Sequence, residues 1–175
     1  MKILLIRHGE TTGDIEERYG GAYDDHLTER GHAQLAETAE KLRGQAIDTM
    51  YVSTLARAQE SAAILNKVLE TTIVSRNDLQ ERNYGVLGGL TKAEALERYP
   101  EAVAAHKDPA NTDPEGEAQV DFTARVIEAF REITASEGEQ IAIVAHGGVL
   151  KTILKHLGEP VPHSIPDGGV IEVYV

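Results

Sequence analysis

Short apolar runs alternate with longer amphipathic stretches along the chain. Lys2–Arg7 is a continuous apolar run that stops at polar residues and a glycine, the pattern of a strand buried on both faces of a parallel sheet. Ile47–Ser53, Thr72–Ser75, Ile141–Ala145 and Val170–Val175 read as further strands. Between them the apolar positions take helical spacing. Leu35, Ala39 and Leu42 recur at i, i+4 and i+7, and Ala62, Leu65 and Leu69 do much the same. Phe122, Val126, Phe130 and Ile133 form a longer stripe, and Val149, Ile153, Leu154 and Leu157 a shorter one. Thr91 and Glu94 have the spacing of a capping box ahead of Ala95, Leu96 and Tyr99, and Pro100 follows that helix. Strands alternating with helices predict an α/β fold, here a three-layer α/β/α sandwich with a mostly parallel central sheet. The 175 residues make one domain. Asp108–Gly116, rich in Pro, Asp and Gly, reads as a surface loop within it.

Charge and composition remove several classes of function. Seventeen Lys and Arg against 29 Asp and Glu leave a net charge of −12, so neither a nucleic acid nor an anionic membrane is an expected partner. A small basic pocket inside an acidic shell stays possible. The absence of cysteine excludes disulfides, thiolate catalysis, zinc–cysteine sites and iron–sulfur clusters. Ile3–Ile6, the longest apolar run near the N-terminus, is far too short for a signal peptide or a membrane span, so a soluble, cytoplasmic protein is expected.

The candidate chemistry sits where strands end. One apolar run leads into Arg7-His8-Gly9 and another into His146-Gly147-Gly148. In an open parallel sheet the C-terminal strand ends form the ligand edge. If these two strands are neighbours, both histidines project from that edge, and the glycines let backbone approach a ligand. A third strand leads through Ser53 to Arg57 in the first turn of the next helix, where a cation opposes the helix dipole unless it shares the site with an anion. Two arginines, two histidines and several helix N-termini converging in an acidic protein suit a compact dianion, most simply phosphate. Taken singly, each motif has a plainer reading, as a structural histidine or an arginine paired with a surface carboxylate. A two-histidine metal site lacks support, because no HxH, HxxxH or HExxH spacing occurs. A histidine whose ring approaches phosphorus suggests a phosphohistidine intermediate that water hydrolyses. The leaving alkoxide then needs a general acid, and composition does not choose it among 29 carboxylates.

Arg7-His8-Gly9-Glu10-Thr11 resembles the RHGE[ST] signature of the histidine phosphatase superfamily, on its phosphoglycerate-mutase-like branch. Arg18, Gly21, Asp24, Leu27-Thr28 and Gly31 fall where that branch has R-x-x-G…D…L[TS]xxG. Ser53–Ala58 is similar to its S-x-L-x-R-A, Leu79–Gly85 to its L-x-E-x-x-x-G, and Pro114–Glu117 to its P-x-G-E. His146-Gly147-Gly148 matches the second histidine motif, so the likeness covers most of the chain in the family's order. The resemblance implies His8 as the phosphorylated nucleophile and Glu81 as the proton donor. It implies Arg7, Arg57 and His146 as the phosphate-holding set, with Gly147, Asp14 and Gly21 as further substrate- or phosphate-binding positions. It implies no metal and no cofactor. Three positions depart from the pattern: Gly13-Asp14 stands for the common Trp-Asn, Ala118 for Ser and Thr54 for Pro. An ionised Asp14 would repel phosphate where Asn donates to it, so Asp14 either points away or suits the site to another substrate or pH.

Within that family a mutase must exclude water, whereas a phosphatase admits it. The short lid or insert around residues 84–117, and a chain ending directly after its last strand, favour hydrolysis of a small phosphomonoester. Phosphoryl transfer of the mutase type is the alternative, and a non-catalytic module binding phosphorylated ligands is a third reading. Specificity is expected from the residues between Tyr84 and Glu117, where Lys92, His106 and Lys107 could meet a second polar group, although the favoured reading makes all three ordinary solvated surface residues. His26, His32, His156 and His163 are read as structural or surface residues. The final strand could pair with a second copy, making a homodimer.

Overall fold

The computed structural model describes residues 1–135 and 138–175. Five strands occur among them: β1 (Lys2–Arg7), β2 (Thr49–Ser53), β3 (Thr72–Arg76), β4 (Gln140–Ala145) and β5 (Val170–Tyr174). They form one sheet in the order β3-β2-β4-β1-β5. β1 pairs in parallel with β4, Arg7 standing opposite Ala145, and β4–β2 and β2–β3 are parallel too. β5 closes the other edge antiparallel to β1. Because β1 has a neighbour on each side and helices over both faces, Ile3–Ile6 are completely buried, and nothing in that run can be polar. β3 lies at the opposite edge, mostly exposed, and tolerates Thr72 and Ser75.

The helices are α1 (Thr12–Ile15), α2 (Glu29–Lys41), α3 (Ala56–Leu69), α4 (Lys92–Arg98), α5 (Pro100–His106), α6 (Gln119–Thr134) and α7 (Gly147–Leu157). Side chains alternate across a strand, so β1 feeds two cores. Leu4 and Ile6 join Leu35 and Ala39 of α2 and Ala62 and Leu65 of α3. Ile3 and Leu5 join Phe122 and Val126 of α6 and Val149 and Ile153 of α7. The outcome is the expected α/β/α sandwich. Each fully buried aliphatic side chain contributes roughly 1.5–3 kcal/mol to this arrangement.

The connection between β3 and α6 holds a third apolar cluster built on Tyr19, Leu87, Ala95 and Ala102. Thr91 and Glu94 form the capping box that their spacing predicts. Pro100 does not simply terminate the chain's helical course, because it occupies the first turn of α5. Proline has no N–H to place there and its fixed φ suits that position, so one helix ends and another begins at the same residue pair. The stretch from Asp108 to Gly116 is irregular, as expected, but it is not wholly on the surface: Asp113 is buried and accepts from His106 Nδ1 at 2.8 Å.

Candidate active site

β1 connects through α2 to β2 on one side of β4, whereas β4 connects through α7 to β5 on the other side of β1. The crevice between the ends of β1 and β4 is therefore a switch point, where strand ends leave room for a ligand. The parallel register brings His8 and His146 together there. His8 N–H donates to Ala145 O, and the two imidazole centroids lie 5.2 Å apart.

Hydrogen-bond partners fix each ring's tautomer. His8 Nδ1 faces Gly9 O at 2.8 Å; a nitrogen facing a carbonyl carries the proton, so Nε2 holds the lone pair. Arg57 Nε donates to that Nε2 at 3.3 Å and to His146 Nδ1 at 3.2 Å. The far side of His146, Nε2, meets Ser53 Oγ at 2.7 Å. Burial, reinforced by the Arg57 charge, pushes His8 down to about 3 and His146 well below the usual imidazole range. Both rings are consequently neutral at physiological pH.

Arg57 belongs to the first turn of α3 but does not reach solvent. Its guanidinium donates to Tyr23 O, Gly21 O and the Asp25 carboxylate at 2.7–2.8 Å. The Arg57–Asp25 pair is almost wholly buried, which balances the charge that α3's N-terminus would otherwise disfavour. Asp25 fits because position 13 is glycine: a Cβ on Gly13 would stand 2.5 Å from Asp25 Oδ2. One departure from the family pattern thus has a local reason.

Arg7 reaches the same space from the end of β1. Its terminal nitrogens meet Ile165 O and Asp167, whereas its buried Nε has no hydrogen-bond partner. Gly147 lies beside that Nε, 4.0 Å from where a Cβ would be. Burial raises the Asp167 carboxyl above its ordinary range, against the pull of Arg7.

Glu81 approaches from the segment after β3. Its carboxylate accepts from Gly148 N at 2.8 Å and from Arg82 N at 3.0 Å, so it sits on the open N-terminus of α7. Glycine leaves room for this contact: a Cβ at position 148 would lie 2.3 Å from Glu81 Oε1, so the carboxylate would have to shift. Gly21 contributes its carbonyl to Arg57. Asp14 is exposed, and its Oδ2 accepts from Thr11 N and Oγ1 at 2.9 Å each, forming the capping box of α1. Its charge acts to raise the His8 pKa, a minor opposition to burial.

Beyond Glu81 and Gly148 a cavity of about 520 Å³ runs between α6 and α7. His106 lines it but is tied to Asp113, whereas Lys92 lies over the Tyr19 ring and Lys107 is exposed; neither lysine reaches the cavity wall. Asp25, Asp167, Arg82 and the partner role of Ser53 were not read from the sequence. Asp25 stands beside Asp24 without a motif of its own, and Ser53 had a motif but no stated job. Among the described residues no three His, Asp or Glu side chains gather as a metal-binding set, and no helix is long and apolar enough to cross a membrane.

A parallel α/β sheet that presents two neutral imidazoles, two arginines and a carboxylate at its switch point defines a protein that handles phosphoryl groups. Residues 3–168 match the model of the histidine phosphatase superfamily (branch 1), and the chain belongs to that family. It is an enzyme of the histidine phosphatase type. It is 30% identical to the uncharacterized phosphatase PhoE of Bacillus subtilis, over 90% of this chain and 79% of that one. It is 32% identical to a 2,3-bisphosphoglycerate-dependent phosphoglycerate mutase of Cytophaga hutchinsonii, over 93% and 80% respectively. The structure of the α-ribazole phosphatase from Shigella flexneri superposes with a TM-score of 0.88 at 26% identity, covering 100% of this chain and 91% of that one.

Proposed function

We propose that this enzyme hydrolyses small phosphomonoesters, with His8 as nucleophile and Glu81 as proton donor. The observation that carries the reading is His8 itself: a neutral ring whose Nδ1–H donates to Gly9 O and whose unprotonated Nε2 accepts from Arg57 Nε. A phosphoryl dianion between the arginines takes up the unpartnered Nε–H of Arg7 and the Nε–H of Arg57. His8 Nε2 attacks phosphorus in line, the P–O bond to the leaving group breaks, and Glu81 gives its proton to the departing alkoxide. Water then attacks phosphorus of the phosphohistidine, the P–Nε2 bond breaks to release inorganic phosphate and neutral His8, and the Glu81 carboxylate takes the water's proton. His146 joins the phosphate set by moving its proton to Nδ1, and the Ser53 hydroxyl, which can donate or accept, reverses to suit. Fixed donors stabilise the charge on the phosphoryl oxygens through both transition states. Gly21 and Gly147 border the pocket as backbone, and Asp14 caps α1 and shapes the field at His8.

Hydrolysis is favoured over mutase transfer by the segment 84–117, which we read as a fixed lid. The buried Arg82 guanidinium donates to Glu117 O, Pro109 O, Asn111 O and Gln119 Oε1, which ties this segment down beside the cavity. Water keeps access to Glu81 through that cavity, whereas a mutase must exclude it.

The test is release of phosphate from 4-nitrophenyl phosphate between pH 5 and 8, with and without EDTA, for the wild type and His8→Ala. EDTA-resistant hydrolysis that disappears in the variant is expected. Hydrolysis surviving in His8→Ala, or interconversion of phosphoglycerates without phosphate release, would overturn the proposal.

A further inference from the structure

We infer that the cavity between α6 and α7 selects leaving groups that carry a second anionic group at their far end. The inference rests on the reading of Glu81 and His8 above and adds the substrate class. The cavity begins at Glu81 and Gly148, where the leaving group must emerge, and follows α7 past Lys151 and Thr152 to Lys155 and His156. These positions form one helical stripe at i, i+3/i+4 and i+7/i+8. At 1.5 Å per residue, Lys155 stands about 10 Å along the axis from Gly148.

The two walls differ in chemistry. On the α6 side Phe122 and Ile127 offer apolar surface, continued by Tyr84 near Glu81. On the α7 side Lys151 and Lys155 both line the space, and neither has a carboxylate partner among the described residues. Lys151 Nζ donates to His163 O at 2.6 Å, which holds its charge in place, while Lys155 is exposed. Among the described residues Glu81 is the single carboxylate of the lining, and both of its oxygens are engaged by backbone N–H groups. In a protein of net charge −12, two unpaired ammonium groups facing one cavity form a local reversal of sign. The ligand that answers both walls is an elongated phosphomonoester with an apolar middle and a carboxylate or second phosphate about two helical turns beyond the leaving-group end of the site. The arrangement also steers such substrates toward the site in preference to neutral ones.

The experiment compares two esters of equal shape, 4′-carboxybiphenyl-4-yl phosphate and its uncharged amide, 4′-carbamoylbiphenyl-4-yl phosphate, with 4-nitrophenyl phosphate as a check of basal hydrolysis. The expected ratio of kcat/KM, acid over amide, is about fivefold or more, carried in KM, and it shrinks as salt is raised. Lys155→Glu is expected to abolish or invert that ratio, and Lys155→Arg to retain it. Lys155 is exposed on α7, and a ratio taken within one variant is insensitive to the fraction folded. A ratio near one in wild type, or one unchanged in Lys155→Glu while 4-nitrophenyl phosphate is hydrolysed, overturns this inference alone. Failure to hydrolyse 4-nitrophenyl phosphate overturns the reading of the site on which it rests.

Discussion

Replacing Asp25 by Asn tests whether the Arg57 guanidinium is held by charge or merely by shape. The substitution keeps the side chain's size and one acceptor oxygen but removes the negative charge 2.8 Å from Arg57 Nη1, in a pair whose side chains are each 4% exposed. Breaking a buried ion pair on one side typically costs 3–5 kcal/mol, because an uncompensated charge stays behind. Arg57 keeps Tyr23 O and Gly21 O, so the lower end, about 3 kcal/mol, is expected. For a domain of this length that corresponds to a fall in Tm of roughly 6–12 °C. The free site then contains the unbalanced cation, and an anion that binds the folded state restores stability by mass action. Inorganic phosphate should therefore raise the Tm of Asp25→Asn more than that of the wild type. Differential scanning calorimetry with and without phosphate measures both effects. A Tm unchanged by the substitution, or a smaller phosphate response in the variant, would refute the view that Asp25 balances Arg57.

Two further outcomes follow from the same geometry. His8 is pushed down to about 3 in the folded protein against about 6.5 in the unfolded chain. Between those values the unfolded state binds the extra proton, so stability falls as pH drops below 6.5; between pH 7 and pH 5 the loss from His8 is about 2 kcal/mol, with His146 adding in the same direction. Urea midpoints at the two pH values should show this loss shrink in His8→Asn, and an equal loss in both proteins would contradict it. Gly148→Ala drives a methyl group into Glu81, and displacing a reacting group by about 1 Å can cost roughly a hundredfold in rate. Its kcat for a poor leaving group such as an alkyl phosphate should drop far more than for 4-nitrophenyl phosphate, whose departure needs little acid; an equal drop for both would separate Glu81 from proton donation.

Much of the architecture was legible in the order of residues, and the reasons are local. A strand covered on both faces admits no polar side chain, so Ile3–Ile6 and Ile141–Ala145 announced themselves as apolar runs, and the glycines and histidines after them marked the ligand edge. Helical stripes such as Phe122–Val126–Phe130–Ile133 reported which face would meet the sheet. Pro100 was ambiguous because proline suits both the residue after one helix and the first turn of the next. The neighbourhood of β1 and β4 was a condition in the sequence reading; only the sheet order met it. Charge partners were hidden altogether. Nothing in the spacing of Asp25 and Arg57, or of Glu81 and Gly148, says that they touch, because these contacts join segments far apart in the chain. Lys151 and Lys155 illustrate the same limit: along the sequence they are ordinary polar positions between the apolar residues of α7. Local pattern determined the elements, the layers and the kinds of residue at the strand ends. The packing of distant segments alone decided which nitrogen of His8 is free, what balances Arg57, and which wall of the cavity is cationic, since tautomer, charge compensation and field depend on neighbours in space.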